Sequence, residues 1–188
     1  MVLADPVRPM RADARRNYDA IVAVARTAFS EHGPGASLDD IAKRAGVGAG
    51  TLYRHFPTRE ALIEAVYRGE IGELSERAHK LLAELPPEEA LPAWIKEQVH
   101  WIVRNRGLAM TLKASIEAGS DTFAWCQTNL RGAAGALLAA AQDAGAVRRD
   151  VTAIDVLRIG HGVGLASEHA SVEESRRLLS IMLKGLEA

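Results

Sequence analysis

The sequence is short of several things, and each shortage removes a class of explanation. It has one cysteine in 188 residues, Cys126, so no disulfide can form within the chain and a disulfide scaffold is excluded. Aromatic residues are 5% of the chain while apolar residues are 48%, which leaves Ala, Leu and Val to carry the hydrophobic content. Ala and Leu favour helices, whereas strands draw on aromatic and β-branched residues, so a sheet-based core is disfavoured. No β-branched alternation reaches strand length, and no repeat or low-complexity tract is present. The longest stretch of small apolar residues, 132–141, is about half of the roughly 20 residues that a membrane span needs. Residues 1–9 lack the apolar core of a secretory leader. A soluble, cytoplasmic protein that does not enter a membrane is expected.

Catalytic signatures are missing as well. The histidines stand at 32, 55, 79, 100, 161 and 169, none within HExxH, and Cys126 has no CxxC partner, so metal-ligand spacing is absent. Neither GxSxG nor GxxxxGK[ST] occurs. Residues 160–164, GHGVG, are glycine-rich but fall inside a helical pattern, not between a strand and a helix, so a phosphate cradle is not indicated. Glycines at i and i+4 suit two helices in close approach, by analogy with helix pairs in membranes. The expectation is no enzyme, no metal and no cofactor.

Net charge is −1, which does not point to nucleic acid in bulk. Its distribution does. Residues 1–57 hold eight Lys and Arg against six acids, and the remainder fifteen against eighteen. Residues 41–59 carry Lys43, Arg44, Arg54 and Arg59 with no acid at all. A small positive patch on a near-neutral protein fits a confined phosphate-contacting surface. Arg8 and Arg11, beside Pro6 and Pro9, form a basic arm that either adds phosphate contacts or is a tail with no role.

What is present is helical periodicity. Ile21, Val24, Ala25, Ala28 and Phe29 recur at i, i+3, i+4, i+7 and i+8, one face of a helix that begins near Asp13 and ends at the His32-Gly33-Pro34-Gly35 run. Ser37 reads as an N-cap, with Asp39 and Asp40 in the first turn and Leu38, Ile41, Ala42 and Ala45 on the apolar stripe. Gly46 follows, where a helix C′ residue takes positive φ, and then an apolar Val47 expected to be buried. A third short helix over 48–55 exposes Thr51 and Arg54 and buries Leu52 and Phe56; Pro57 breaks it and Thr58 caps a longer fourth helix. Later helical segments fall near 88–104, 108–118, 123–144, 155–168 and 173–187, with Pro86, Pro87 and Pro92 marking a joint.

Residues 37–56, SLDDIAKRAGVGAGTLYRHF, have the layout of a helix-turn-helix. Gly takes the strained turn position, an apolar residue pins the turn, and the second helix must start with small side chains to enter a major groove about 12 Å wide. Gly48, Ala49 and Gly50 meet that last demand. With the continuation PTREAL, the stretch resembles the signature of the TetR family of regulators, a match covering roughly residues 15–66. The resemblance implies an all-α fold: a three-helix DNA-binding head over residues 1–57, followed by a helical ligand-binding and dimerisation domain over 58–188. It implies a repressor that binds double-stranded operator DNA as a homodimer and is released by a small-molecule effector. It places Thr51, Tyr53, Arg54 and His55 at bases or phosphates and Arg59 at a phosphate. Two departures stand out: Gly48 replaces a frequent Ser, and Ala49 replaces a frequent long side chain, so direct base readout rests on fewer groups.

For the partner subunit, Val156, Ile159, Gly160 and Val163 on one helix and Leu178, Ile181, Met182 and Leu186 on the last make two apolar faces. The resemblance implies that they form a four-helix bundle with the partner's pair; burial within their own domain is the alternative. An effector cavity between the helices of 88–144 would draw on Trp94, His100, Trp101, Met110, Trp125, Cys126 and Asn129, with Trp101 and Trp125 foremost. Against the repressor stand a constitutive DNA-binding protein and a helical protein-interaction module without a ligand; the acid-free 41–59 surface favours DNA.

Overall fold

The computed structural model describes residues 12–105, 121–167 and 169–188. Among them lie eight α-helices, and the sole β pairing is an isolated antiparallel bridge between Val147 and Glu187. The helices are α1 (Ala12–His32), α2 (Leu38–Arg44), α3 (Ala49–His55), α4 (Arg59–Glu84), α5 (Pro87–Arg104), α6 (Asp121–Asp143), α7 (Ala153–Ala166) and α8 (Val172–Leu186). The all-α expectation holds, and the segment expected at 108–118 lies outside the described residues. The chain divides into two compact units, one ending at Val66 and the other running from Tyr67 to Ala188. The unbroken α4 supplies residues to both.

In the N-terminal unit α1 buries Ile21, Ala25, Ala28 and Phe29, the stripe read from the sequence with Val24 at its half-buried edge. A 3-10 turn, Gly33–Gly35, ends it. The Ser37 hydroxyl then accepts from the Asp40 N–H at 3.3 Å and starts α2, which buries Leu38, Ile41 and Ala42. The end of α2 follows from one backbone angle. Gly46 takes φ +70°, a left-handed conformation that side chains resist. The Gly46 N–H reaches the Lys43 carbonyl at 3.1 Å and the Val47 N–H reaches Ala42 at 3.0 Å, the paired bonds that close a Schellman turn. Val47, expected to be buried, is half-buried there. Gly145, at φ +74°, closes α6 with the same pair of bonds, from Gly145 to Gln142 and from Ala146 to Ala141.

In the C-terminal unit α5, α6 and α7 pack against one another and α8 packs on α7. Leu91, Trp94, Ile95, Leu137, Leu138 and Val156 are central to the core. Capping boxes start the last two helices, Thr152 with Asp155 and Ser171 with Glu174. Hydrogen bonds from the Thr152 hydroxyl and backbone hold the Asp155 carboxyl below the usual carboxylate range. Pro92, read as part of a joint, instead sits inside α5. Losing one N–H donor there is outweighed by burial of Leu91, Trp94 and Ile95 on either side of it.

The glycines of 160–164 behave differently from their sequence reading at the partner seam. A Cβ on Gly160 would stand 2.6 Å from Gln98 Oε1, and one on Gly164 would stand 2.7 Å from Ile102 Cγ2. Gly164 therefore admits α5 of the same unit, because Ile102 is met at its Cβ and Cγ2, whereas at Gly160 the space is taken by the end of the flexible Gln98 side chain. Gly164→Ala is expected to cost about 1–3 kcal/mol, the range for overpacking a filled core. Gly132→Ala, in open space on α6, should instead gain about 0.5–1 kcal/mol by removing backbone entropy from the unfolded chain. Urea unfolding of the two variants checks both signs.

Candidate nucleic-acid interface and ligand site

The second helix of the helix-turn-helix, α3, is seated by its apolar residues. Leu52 and Phe56 are buried, and the Tyr18 ring from α1 lies 5.1 Å from the Phe56 ring and 6.2 Å from His55. This leaves the opposite face free. Tyr53 is 46% exposed and Arg54 is exposed beside it, as are Gly48, Ala49 and Gly50 at the helix start. Thr51, expected in the open, is half-buried, and His55 is half-buried against Tyr18. Gly48 occupies the N-cap without a side-chain hydrogen bond, so the first N–H groups of α3 receive no capping oxygen from it. Tertiary seating, more than local capping, holds this seven-residue helix.

The cations of 41–59 are placed unequally. Lys43 is exposed on α2. Arg44 Nη1 lies 3.5 Å from the Glu31 carboxylate and 3.8 Å from Asp40. The stretch is acid-free in sequence, but folding brings two acids to one of its arginines. Arg59, expected at a phosphate, turns Nη1 to the carbonyls of Pro34 at 2.8 Å and Ala36 at 2.5 Å. It ties the first residue of α4 to the turn before α2, which sequence spacing alone could not reveal across 23 and 25 residues.

The ligand candidates of the C-terminal unit separate into those that meet and those that do not. Trp101 and Cys126 are buried together with Ile71 and Ile102, and Tyr67, Trp125 and Leu130 pack around them. The Tyr67 and Trp101 rings are 5.9 Å apart, and the Arg68 guanidinium lies 4.7 Å over the Trp125 ring. Asn129 lies one turn beyond Trp125 and gives its side-chain N–H to the Trp125 carbonyl at 2.8 Å. His100 is exposed on α5 and does not join the cluster. Trp94 belongs to the core, with its indole N–H on the Leu74 carbonyl at 2.8 Å. Met110 lies outside the described residues.

Two polar members of this neighbourhood escaped the sequence reading. Glu70 is buried and accepts the Trp101 indole N–H. Tyr67 stands one turn before it on α4, and its hydroxyl is pushed up from 10.0 to about 12, first by burial and then by the neighbouring Cys126 thiol. A lone Glu in an amphipathic helix reads as solvent-facing by default; the one available signal was the i, i+3, i+4 spacing of Tyr67, Glu70 and Ile71. Among the described residues no group of three or more His, Cys, Asp or Glu could hold a metal ion, and no helix is long and apolar enough to cross a membrane. Because the phenol of Tyr67 ionises more readily in the unfolded chain, stability should be unaffected by it below pH 10 and fall as the pH rises from 10 toward 12. Tyr67→Phe should flatten that alkaline loss in urea unfolding and remove a phenolate transition near pH 12 from the ultraviolet titration.

On α7 and α8 the two apolar faces prove to be split. Val156, Gly160, Met182 and Leu186 are buried in their own unit. Ile159 is 45% exposed and Ile181 62%, with Val172 and Leu165 exposed as well.

Comparison with known proteins covers both units. Residues 21–66 match the model for bacterial regulatory proteins of the tetR family. Residues 86–188 match the model for the C-terminal domain of SbtR-like transcriptional regulators. Over 54 residues the chain is 44% identical to an HTH-type transcriptional regulator of Staphylococcus aureus, a stretch that covers 28% of this chain and only 29% of that protein. The chain is similar over nearly its whole length to a TetR transcriptional regulator from Streptomyces coelicolor, with 42% identity, 90% of this chain and 98% of that one covered, and a TM-score of 0.76. It is similar also to a TetR transcription regulatory protein from Mycobacterium vanbaalenii, at 35% identity, 96% and 100% coverage and a TM-score of 0.74.

Proposed function

The chain belongs to the TetR family of bacterial transcriptional regulators, DNA-binding proteins that are not enzymes, and from that premise we propose that it is a repressor released from its operator by a small molecule. The observation that carries the reading is the exposed face of α3. A narrow, glycine-started helix presents Tyr53 and Arg54 outward while Leu52 and Phe56 fasten it from behind. Arg54 reaches a base edge or phosphate, Tyr53 gives its hydroxyl to a phosphate, and Lys43 with the uncommitted nitrogens of Arg59 adds backbone contacts. The half-burial of Thr51 limits it to a methyl or backbone contact at the groove edge. Residues 1–57 act as the DNA-binding domain and 58–188 as the effector and dimerisation domain. The lone thiol of Cys126 suits a reducing cytoplasm.

The effector enters beside Trp101, Trp125 and Cys126, where the aromatic walls offer apolar area and Glu70 fixes the Trp101 indole. Ligand binding changes operator affinity only by its differential affinity for the two states, so a 100-fold release needs about 2.7 kcal/mol of coupling. The continuous α4 carries that coupling, since Glu70 and Ile71 at the effector site and Arg59 at the head lie on one helix.

Selection of bound fragments from random DNA should yield a palindromic consensus; an asymmetric one or none sinks the two-fold repressor. Arg54→Ala and Tyr53→Ala should each weaken binding to that fragment by roughly 1–3 kcal/mol in gel shifts at fixed salt, with the melting temperature unchanged. Wild-type affinity in both would place the recognition surface elsewhere.

The homodimer forms through the exposed Ile159 and Ile181 of α7 and α8. Ile181→Asp leaves a carboxylate in water on a lone subunit but inside an apolar seam in a dimer. Light scattering should therefore report a monomer with native helix content. A dimer of unchanged affinity would move the interface off these helices.

A further inference from the structure

A cleft of about 230 Å³ opens in the C-terminal unit between the start of α5, the loop after α6 and the end of α8. It shares no residue with the Trp101 cluster. Its walls are apolar: Leu91, Pro92 and Ile95 on one side, Val147, Leu183 and Leu186 on the other. Its charged side chains are all of one kind. They belong to Glu88 and Glu187, two exposed lining residues. Pro92 has no N–H to give the Glu88 carbonyl four residues earlier, so that backbone oxygen lacks its helical donor at a lining position. No lining side chain carries a donor. Arg148, which follows Val147, is already paired with Asp150 through two bonds of 2.6 and 2.7 Å.

A site made of apolar walls and acceptors selects a ligand with an apolar body and a charged donor. The volume sets its size. It exceeds the roughly 150 Å³ of an apolar cavity that admits benzene and falls short of the roughly 300–1,000 Å³ of drug-sized sites. A bare metal ion is disfavoured, because most of the lining offers it no oxygen. We propose that this cleft is a second binding site of the regulator, for a small organic ammonium ion whose alkyl or aryl body lies against Leu91, Ile95 and Leu186 and whose N–H donors meet Glu88 and Glu187. The proposal does not rest on the location of the effector site near Trp101.

Hexylammonium, hexanol and hexanoate, titrated into the full chain, test it with the same apolar body and three head groups. Methyl NMR shifts of Leu91, Ile95, Leu183 and Leu186 report the site, and calorimetry reports the affinity. Hexylammonium should bind at least tenfold more tightly than hexanoate, with hexanol between them. In the Glu88→Gln, Glu187→Gln double variant, hexylammonium should fall to the level of hexanol. Ala146→Phe, which fills the cleft from its half-buried loop, should remove both. Equal binding of the amine and the carboxylate, a charge preference that survives the Gln pair, shifts confined to other methyls, or no saturable binding would each overturn the proposal. Should Ala146→Phe fail to fold, the three ligands and the isosteric Gln pair decide alone.

Discussion

The close approach of α7 to α5 is the constraint on which the C-terminal unit depends. Two missing Cβ atoms, at Gly160 and Gly164, let Gln98 and Ile102 of α5 lie against the α7 backbone. Gln98 Oε1 is buried with no conventional hydrogen-bond partner among the described residues and rests where the Gly160 Cβ would be. Burying an amide oxygen in this way carries a cost that the surrounding packing must offset. With that face of α5 fixed, its other faces are fixed too. Trp94 turns to the Leu74 carbonyl and Trp101 to Glu70, so both indole N–H groups are satisfied by α4. The aromatic neighbourhood and the small cleft at the start of α5 both follow from the position of this one helix.

The head is built on a different economy. Two of its helices, α2 and α3, are seven residues each and cannot be stable by propensity alone. They are held by termini and seats: the Ser37 cap, the Gly46 turn, Leu52 and Phe56 beneath, and Tyr18 over the Phe56 ring. Arg59 closes the set by bracing the turn at Pro34 and Ala36 from the start of α4. A guanidinium presents several donors in a fixed fork, so it can hold two carbonyls and still offer charge outward; a lysine at this position would hold them less firmly. Arg59 therefore ties the start of α4 to the entry to α2 within the N-terminal unit.

Much of this was legible in the sequence because the signals were local. The cap at Ser37, positive φ at Gly46, the stripe of α1 and the break at Pro57 each depend on residues within one or two turns. The alternating demands of the recognition helix, small at its start and apolar behind, were legible for the same reason. What escaped notice depends on distance in the chain. Arg59 and Pro34, Glu70 and Trp101, and Gly164 and Ile102 are pairs that no local pattern announces. The acid-free stretch of 41–59 misled in one respect, since Glu31 and Asp40 return to Arg44 from outside it. The described helices of the C-terminal unit after α4 fall close to the bounds expected for them, but the named faces of the last two are only partly buried. Ala-rich helices such as α6 carry apolar residues on several faces, so periodicity selects none of them strongly.

The split faces of α7 and α8 leave only part of each apolar stripe outward. The glycines that permit backbone contact are already filled by Gln98 and Ile102, and Val156, Met182 and Leu186 are already in the core. What remains outward is branched and bulky: Ile159 and Ile181, with Leu165 and Val172 beyond them. Helices that meet through such side chains sit at the ordinary separation of about 8–10 Å, with area burial and not close backbone contact as the source of affinity. Such a seam tolerates exchange among apolar residues of similar volume but not the introduction of charge. The α5–α7 contact has the opposite tolerance at Gly164, because there even one added methyl group collides with Ile102. Helix α7 thus carries a close contact with α5 at Gly164 on its inner side and an exposed apolar residue, Ile159, on its outer side.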